Sequence, residues 1–97
     1  MRYFHRTSIA LGAVLSEADR FFGSASLPVV ETDEHRRVFS GTIGRVTVKA
    51  GMEGGHYTRV TVETDQVGES EVDKLAKRFL AVVHTKAEPD HALRGAY

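Results

Sequence analysis

The chain has 97 residues, thirteen Lys/Arg against thirteen Asp/Glu for a formal net charge of zero, and no cysteine. That length makes one domain, which buries roughly 60–70% of the surface its unfolded chain exposes, enough for one modest core of two layers but not for a large internal cavity. The charge balance weighs against a dedicated nucleic-acid binder while leaving room for a local patch; the missing cysteines exclude disulfides, thiolate chemistry and cysteine zinc sites, fit a reducing, cytoplasmic setting, and no apolar run is long enough to span a membrane.

Arg2 to Ile9 alternates, with Tyr3, His5, Thr7 and Ile9 on one face and Arg2, Phe4, Arg6 and Ser8 on the other, and is expected to be a strand. The alternative is a helix from Ile9 capped by Ser8, which places Gly12 inside it at a cost of about 1 kcal/mol relative to Ala. Arg2 and Arg6 ahead of the apolar run 9–15 have the outline of a short signal peptide, but the run is of minimum length and a helical pattern continues past it, so the segment reads as part of the fold.

From about Gly12 to Phe22 the period becomes helical: Leu11, Val14, Leu15, Ala18, Phe21 and Phe22 make one stripe, flanked by Glu17, Asp19 and Arg20. Gly23 is the expected stop, and 23–26 reads as a loop. Leu27 to Thr32 is a short strand entered through Pro28, which belongs at a strand start or on an edge because it cannot donate to a ladder. Asp33-Glu34-His35 is a polar turn, Arg36 to Gly41 a strand, and Gly41–Gly44 a tight connection. Arg45 to Ala50 alternates Val46, Val48 and Ala50 against Arg45, Thr47 and Lys49, and 51–55 reads as the hairpin loop into the next strand.

That next strand, His56 to Thr64, has the clearest alternation in the chain. His56, Thr58, Val60, Val62 and Thr64 point one way, and Tyr57, Arg59, Thr61 and Glu63 the other. Residues 65–68 leave the sheet. Ser70 then caps a helix from about Glu71 to Lys86, with Val72, Leu75, Ala76, Phe79, Leu80 and Val83 as its buried stripe and Lys74, Lys77 and Arg78 as its wet face. Pro89 prevents continuation, so the domain is expected to span 1–88, with 89–97 as a tail whose Leu93 and Tyr97 can dock on the body or on a neighbour. The order is β-α-β-β-β-β-α: an α+β fold with a four- to five-stranded antiparallel sheet and two helices packed on one face. This element order resembles a shortened helix-grip architecture and one half of a TATA-binding-protein-like fold; fold alone does not assign function.

Three functional readings follow, and no catalytic, cofactor or metal motif stands beside them. The first is a small non-enzymatic binding or assembly module that pairs with a second copy or a protein partner, because two helices on one face leave the other face and the sheet edges open; Phe39, Ile43 and Tyr57 are the expected apolar contacts there. The second is a small-molecule pocket between sheet and last helix, near His56, Thr58, Phe79, Val83 and His84. The third is a nucleic-acid-binding sheet face of Arg45, Lys49, Tyr57 and Arg59, with Arg37 added from the preceding strand. Glu63 and Thr61 share that face, and no RNP-like motif is present. The five histidines, at 5, 35, 56, 84 and 91, are too dispersed for a local metal motif, and no serine sits in a nucleophile elbow.

Overall fold

The computed structural model describes residues 1–67 and 70–87; the expected tail, with Leu93 and Tyr97, lies outside the described residues. The elements are β1 (Arg2–Thr7), α1 (Leu11–Ser24), β2 (Val29–Thr32), β3 (Arg36–Gly41), β4 (Gly44–Glu53), β5 (Tyr57–Thr64) and α2 (Glu71–Ala87). All five strands form one antiparallel sheet in the order β1-β5-β4-β3-β2. The described residues therefore form an α+β fold of five strands and two helices. Among the described residues, no helix is long and apolar enough to cross a membrane.

The core follows from the two periodicities. Val46, Val48 and Ala50 of β4 and Val60 and Val62 of β5 are buried on one face of the pleat, opposite Val14, Leu15, Ala18 and Phe22 of α1 and Val72, Ala76, Phe79 and Val83 of α2. α1 lies over β3 and β4, and α2 over β1, β5 and β4, so the two helices divide one face of the sheet between them. The ring of Phe22 sits 4.9 Å from that of Phe39 and 5.3 Å from that of Phe79, measured between centroids. Fully burying such a side chain contributes about 1.5–3 kcal/mol. Phe39 thus belongs to the core and not to the open face, where it was expected as an apolar contact for a partner.

Several boundaries differ from the sequence reading for identifiable reasons. α1 begins at Leu11 with no side-chain cap, because its N-cap residue is Ala10, which carries no acceptor; Thr7 Oγ1 accepts the Ile9 N–H in the connection before it. It then runs past Gly23. The end is made by backbone bonds from Leu27 N–H to Phe22 O and from Ser26 N–H to Gly23 O, with Ser26 in the left-handed region at φ 65°. This is a Schellman cap, and Leu27 and Phe22 supply its hydrophobic contact. β2 begins at Val29, after Pro28, and a bulge between Val29 and Glu31 shifts its register on β3. β4 continues to Glu53, so the turn into β5 is short; Gly54 and Gly55, both at positive φ, make it, and His56 is an exposed turn residue and not the start of the strand. At the other tight turn Gly44 has φ 142°, and a Cβ there would come within 2.9 Å of Asp65 Oδ1 and 3.1 Å of Val72 Cγ1.

Ser70 caps α2 by accepting from the Asp73 N–H at 3.2 Å. Asp73 is buried, and its carboxylate accepts from Tyr3 Oη at 2.5 Å and from Thr64 Oγ1 at 2.9 Å, tying α2 to β1 and β5. Burial pushes this carboxyl up, but the hydrogen bonds from Tyr3 and Thr64, with the Met1 ammonium and Lys77, outweigh it and hold it below its ordinary value.

Candidate anion-binding sheet face

The five residues expected to surround a pocket are dispersed. His56 is in the exposed turn. Thr58 is buried, and its hydroxyl donates to Ile9 O at 2.6 Å. Phe79 and Val83 are fully buried in the core. Val83 lines a groove between α1 and α2 together with Ile9, Val14 and Glu17. His84 is half-buried, with its ring edge-on to His5 at 5.7 Å. Burial, and then the neighbouring His84, lower the affinity of His5 for a proton. Within the groove Glu17 is nearly buried and held by Arg20 on its own helix and by Lys86 at 3.3 Å on the other. The Arg20 hydrogen bonds depress the Glu17 carboxyl, burial opposes them, and Lys86 adds to the depression. These polar groups join helices and sheet. Among the described residues no three His, Asp or Glu side chains are placed to hold a metal ion.

The face of the sheet away from the helices gathers a different set. Register places Arg2, Phe4 and Arg6 of β1 opposite Glu63, Thr61 and Arg59 of β5, all on this face. Lys49 and Arg45 of β4 share it, with Arg36 of β3 directly opposite Lys49. Arg45, Lys49, Tyr57 and Arg59, the four residues read from the sequence, are all here and all exposed. Arg37 is not: its guanidinium lies on the helix side, 3.2 Å from Asp19 of α1. The alternation of β3 is offset by one residue from the position the sequence suggested, so Arg36 takes the place on the open face.

Among the described residues this face carries six cations, Arg2, Arg6, Arg36, Arg45, Lys49 and Arg59, against five carboxylates, Glu31, Glu53 and Glu63 on the strands and Asp33 and Glu34 in the turn that borders its groove. The excess stands in a chain whose total charge is zero. The strand carboxylates are shared. Glu53 accepts from Arg6 Nε at 2.6 Å and lies 3.9 Å from Arg59; Glu63 lies 3.6 Å from Arg2 and 3.3 Å from Lys49; Glu31 lies 3.1 Å from Arg36. Two pairs of like charges sit directly across from each other on neighbouring strands, Arg6 on Arg59 and Arg36 on Lys49. Like charges so placed are destabilising, and sheets ordinarily avoid them. An open groove of about 770 Å³ is lined by Arg36, Lys49, Gly51, Arg59 and Thr61, with Glu53 and the acidic 33–34 turn. A Cβ at Gly51 would meet nothing within 4 Å, so the space above that glycine is empty.

Phe4 and Tyr57 add two half-exposed rings, each 53% accessible, and the Arg59 guanidinium rests 4.3 Å from the centre of the Phe4 ring. The contribution of β1 to this face was missed in the sequence. The alternation of Arg2, Phe4 and Arg6 was visible, but not the pairing of β1 with β5, more than fifty residues away. Compared with known proteins, the chain matches no family model, no curated protein sequence and no solved structure.

Proposed function

We propose that this chain is a small non-enzymatic binding module that takes an extended polyanion on the helix-free face of its sheet. The observation that carries this reading is the pair of like-charge juxtapositions, Arg6 opposite Arg59 and Arg36 opposite Lys49. Each weakens the sheet that holds it, and local rules of this kind are broken where a function compensates. A bound anion relieves both, and the carboxylates leave each cluster with charge to spare: Arg6, Arg59 and Glu53 sum to one positive charge, as do Arg36, Lys49 and Arg2 with Glu31 and Glu63.

The same excess disfavours stacking two copies through this face, because it would bring two positive surfaces together. Self-association then runs through a sheet edge, where β1 offers six residues paired on one side only.

The test is titration with inorganic polyphosphate at several salt concentrations. Binding is expected at low salt, with log K falling by about 0.7 per neutralised charge against log salt, as for a flexible strand. Arg6→Gln combined with Arg59→Gln is expected to flatten that slope by about 1.4. No binding at low salt removes the proposal, and a salt-independent affinity shows that these charges do not make it.

A further inference from the structure

We infer that the polyanion is a single-stranded nucleic acid, held with bases against Phe4 and Tyr57 and phosphates over the cations between them. This rests on the polyanion reading above and adds what the partner must carry besides charge. Along the β1–β5 ladder, the outward positions run Arg2 with Glu63, Phe4 with Thr61, Arg6 with Arg59, and then Tyr57. Charge and ring therefore alternate. Each step covers two strand residues, about 7 Å. That is about twice the 3.4 Å rise between stacked nucleotides, so the ladder suits a strand drawn out of its helical stack.

The rings are the second observation. Among the described residues, the Phe and Tyr side chains that stand exposed are Phe4 and Tyr57, and both lie on this face, while the exposed imidazoles of His35 and His56 sit in turns. Every other described Phe or Tyr ring is packed in or against the core. A polyphosphate or a sulfated polysaccharide has nothing to place on them. A duplex keeps its bases inside and offers this flat surface only its backbone. An unpaired base offers a π face to the ring or to the Arg59 guanidinium that rides on Phe4, and the Thr61 hydroxyl lies opposite that ring to meet a base edge.

The experiment uses fluorescence anisotropy of labelled oligouridylate and oligothymidylate of about ten nucleotides, a duplex of matching length, and polyphosphate as competitor. The variants are Phe4→Leu and Tyr57→Leu, which keep apolar bulk at exposed positions and remove the π face. Each is expected to weaken oligonucleotide binding at least about fivefold, the low end of what one stacked base contributes. Polyphosphate binding is expected to stay within about twofold, which also shows that the variants are folded; it is the charge contribution alone. Equal oligonucleotide affinity in parent and variants overturns the single-strand inference and leaves the polyanion reading standing. Tighter binding of the duplex than of the single strand overturns it as well. Failure of both oligonucleotide and polyphosphate to bind at low salt removes both proposals.

Discussion

Glu53→Gln is expected to move stability and affinity in opposite directions. Glu53 is the counter-ion shared by Arg6 and Arg59, 2.6 and 3.9 Å away, and those guanidiniums face each other across the β1–β5 ladder. Each exposed ion pair contributes about 0.2–1 kcal/mol. Two unit charges about 5 Å apart in a water-like dielectric repel by about 0.8 kcal/mol once the carboxylate between them is gone. The variant is therefore expected to lose about 1–3 kcal/mol, a fall in Tm of roughly 4–24 °C for a chain of this size, shrinking as salt screens the pair. The same substitution frees one positive charge for a ligand, so polyanion affinity at low salt rises and the salt slope steepens by about 0.7. Thermal melts in low and high salt, run beside the titration, read both effects. Arg59→Gln is expected to weaken binding and to move Tm less than Glu53→Gln does, because relief of the cation pair offsets the lost contacts with Glu53 and Phe4. If Glu53→Gln leaves Tm unchanged and weakens polyanion binding, the carboxylate is part of the contact surface and the account of a strained cation pair is wrong.

Two further outcomes concern the helix side. Asp73→Asn leaves the Tyr3 and Thr64 hydroxyls competing for one acceptor, and is expected to cost about 1–3 kcal/mol in urea unfolding. Because the folded-state Asp73 carboxyl lies below its ordinary 3.8, its contribution is complete above that value and fades as pH falls toward the lowered one; an acid limb of the stability curve that is the same in parent and variant contradicts this. His5 binds its proton less readily when folded than its ordinary 6.5, through burial and then His84, so the unfolded chain protonates first and stability declines as pH drops below 6.5. His5→Gln is expected to flatten the urea midpoint between about pH 5 and 7.5, and an unaltered pH profile counts against the assignment.

The alternation of Tyr57–Thr64 and the helical stripes of Val14–Phe22 and Val72–Val83 carried the element order, because burial on one side of a strand or helix must repeat with that element's period. Those same periods put Arg45, Lys49, Tyr57 and Arg59 on one face. What the sequence did not carry was register and exact strand ends. A run containing Gly51, Met52 and Glu53 reads as a loop by composition, yet pairing with β5 holds it in β4 and moves His56 into the turn. Arg36 and Arg37 are adjacent and alike in chemistry, and only pairing with Lys49 and Val48 decides which faces solvent. The like-charge pairs are a property of register alone, invisible in a chain whose net charge is zero.

The pairing of β1 with β5 has a consequence for when the face exists. β2 to β5 are joined in sequence by short turns and can assemble as a meander, whereas β1 must close a loop of more than fifty residues to reach its partner. Phe4, Arg2 and Arg6 arrive with it. Until that strand docks, the cations of β4 and β5 stand without the ring and guanidinium that complete the ladder. On the proposed reading, a half-assembled chain presents charge without the Phe4 ring, and a ligand that needs the whole ladder would draw the last strand into place.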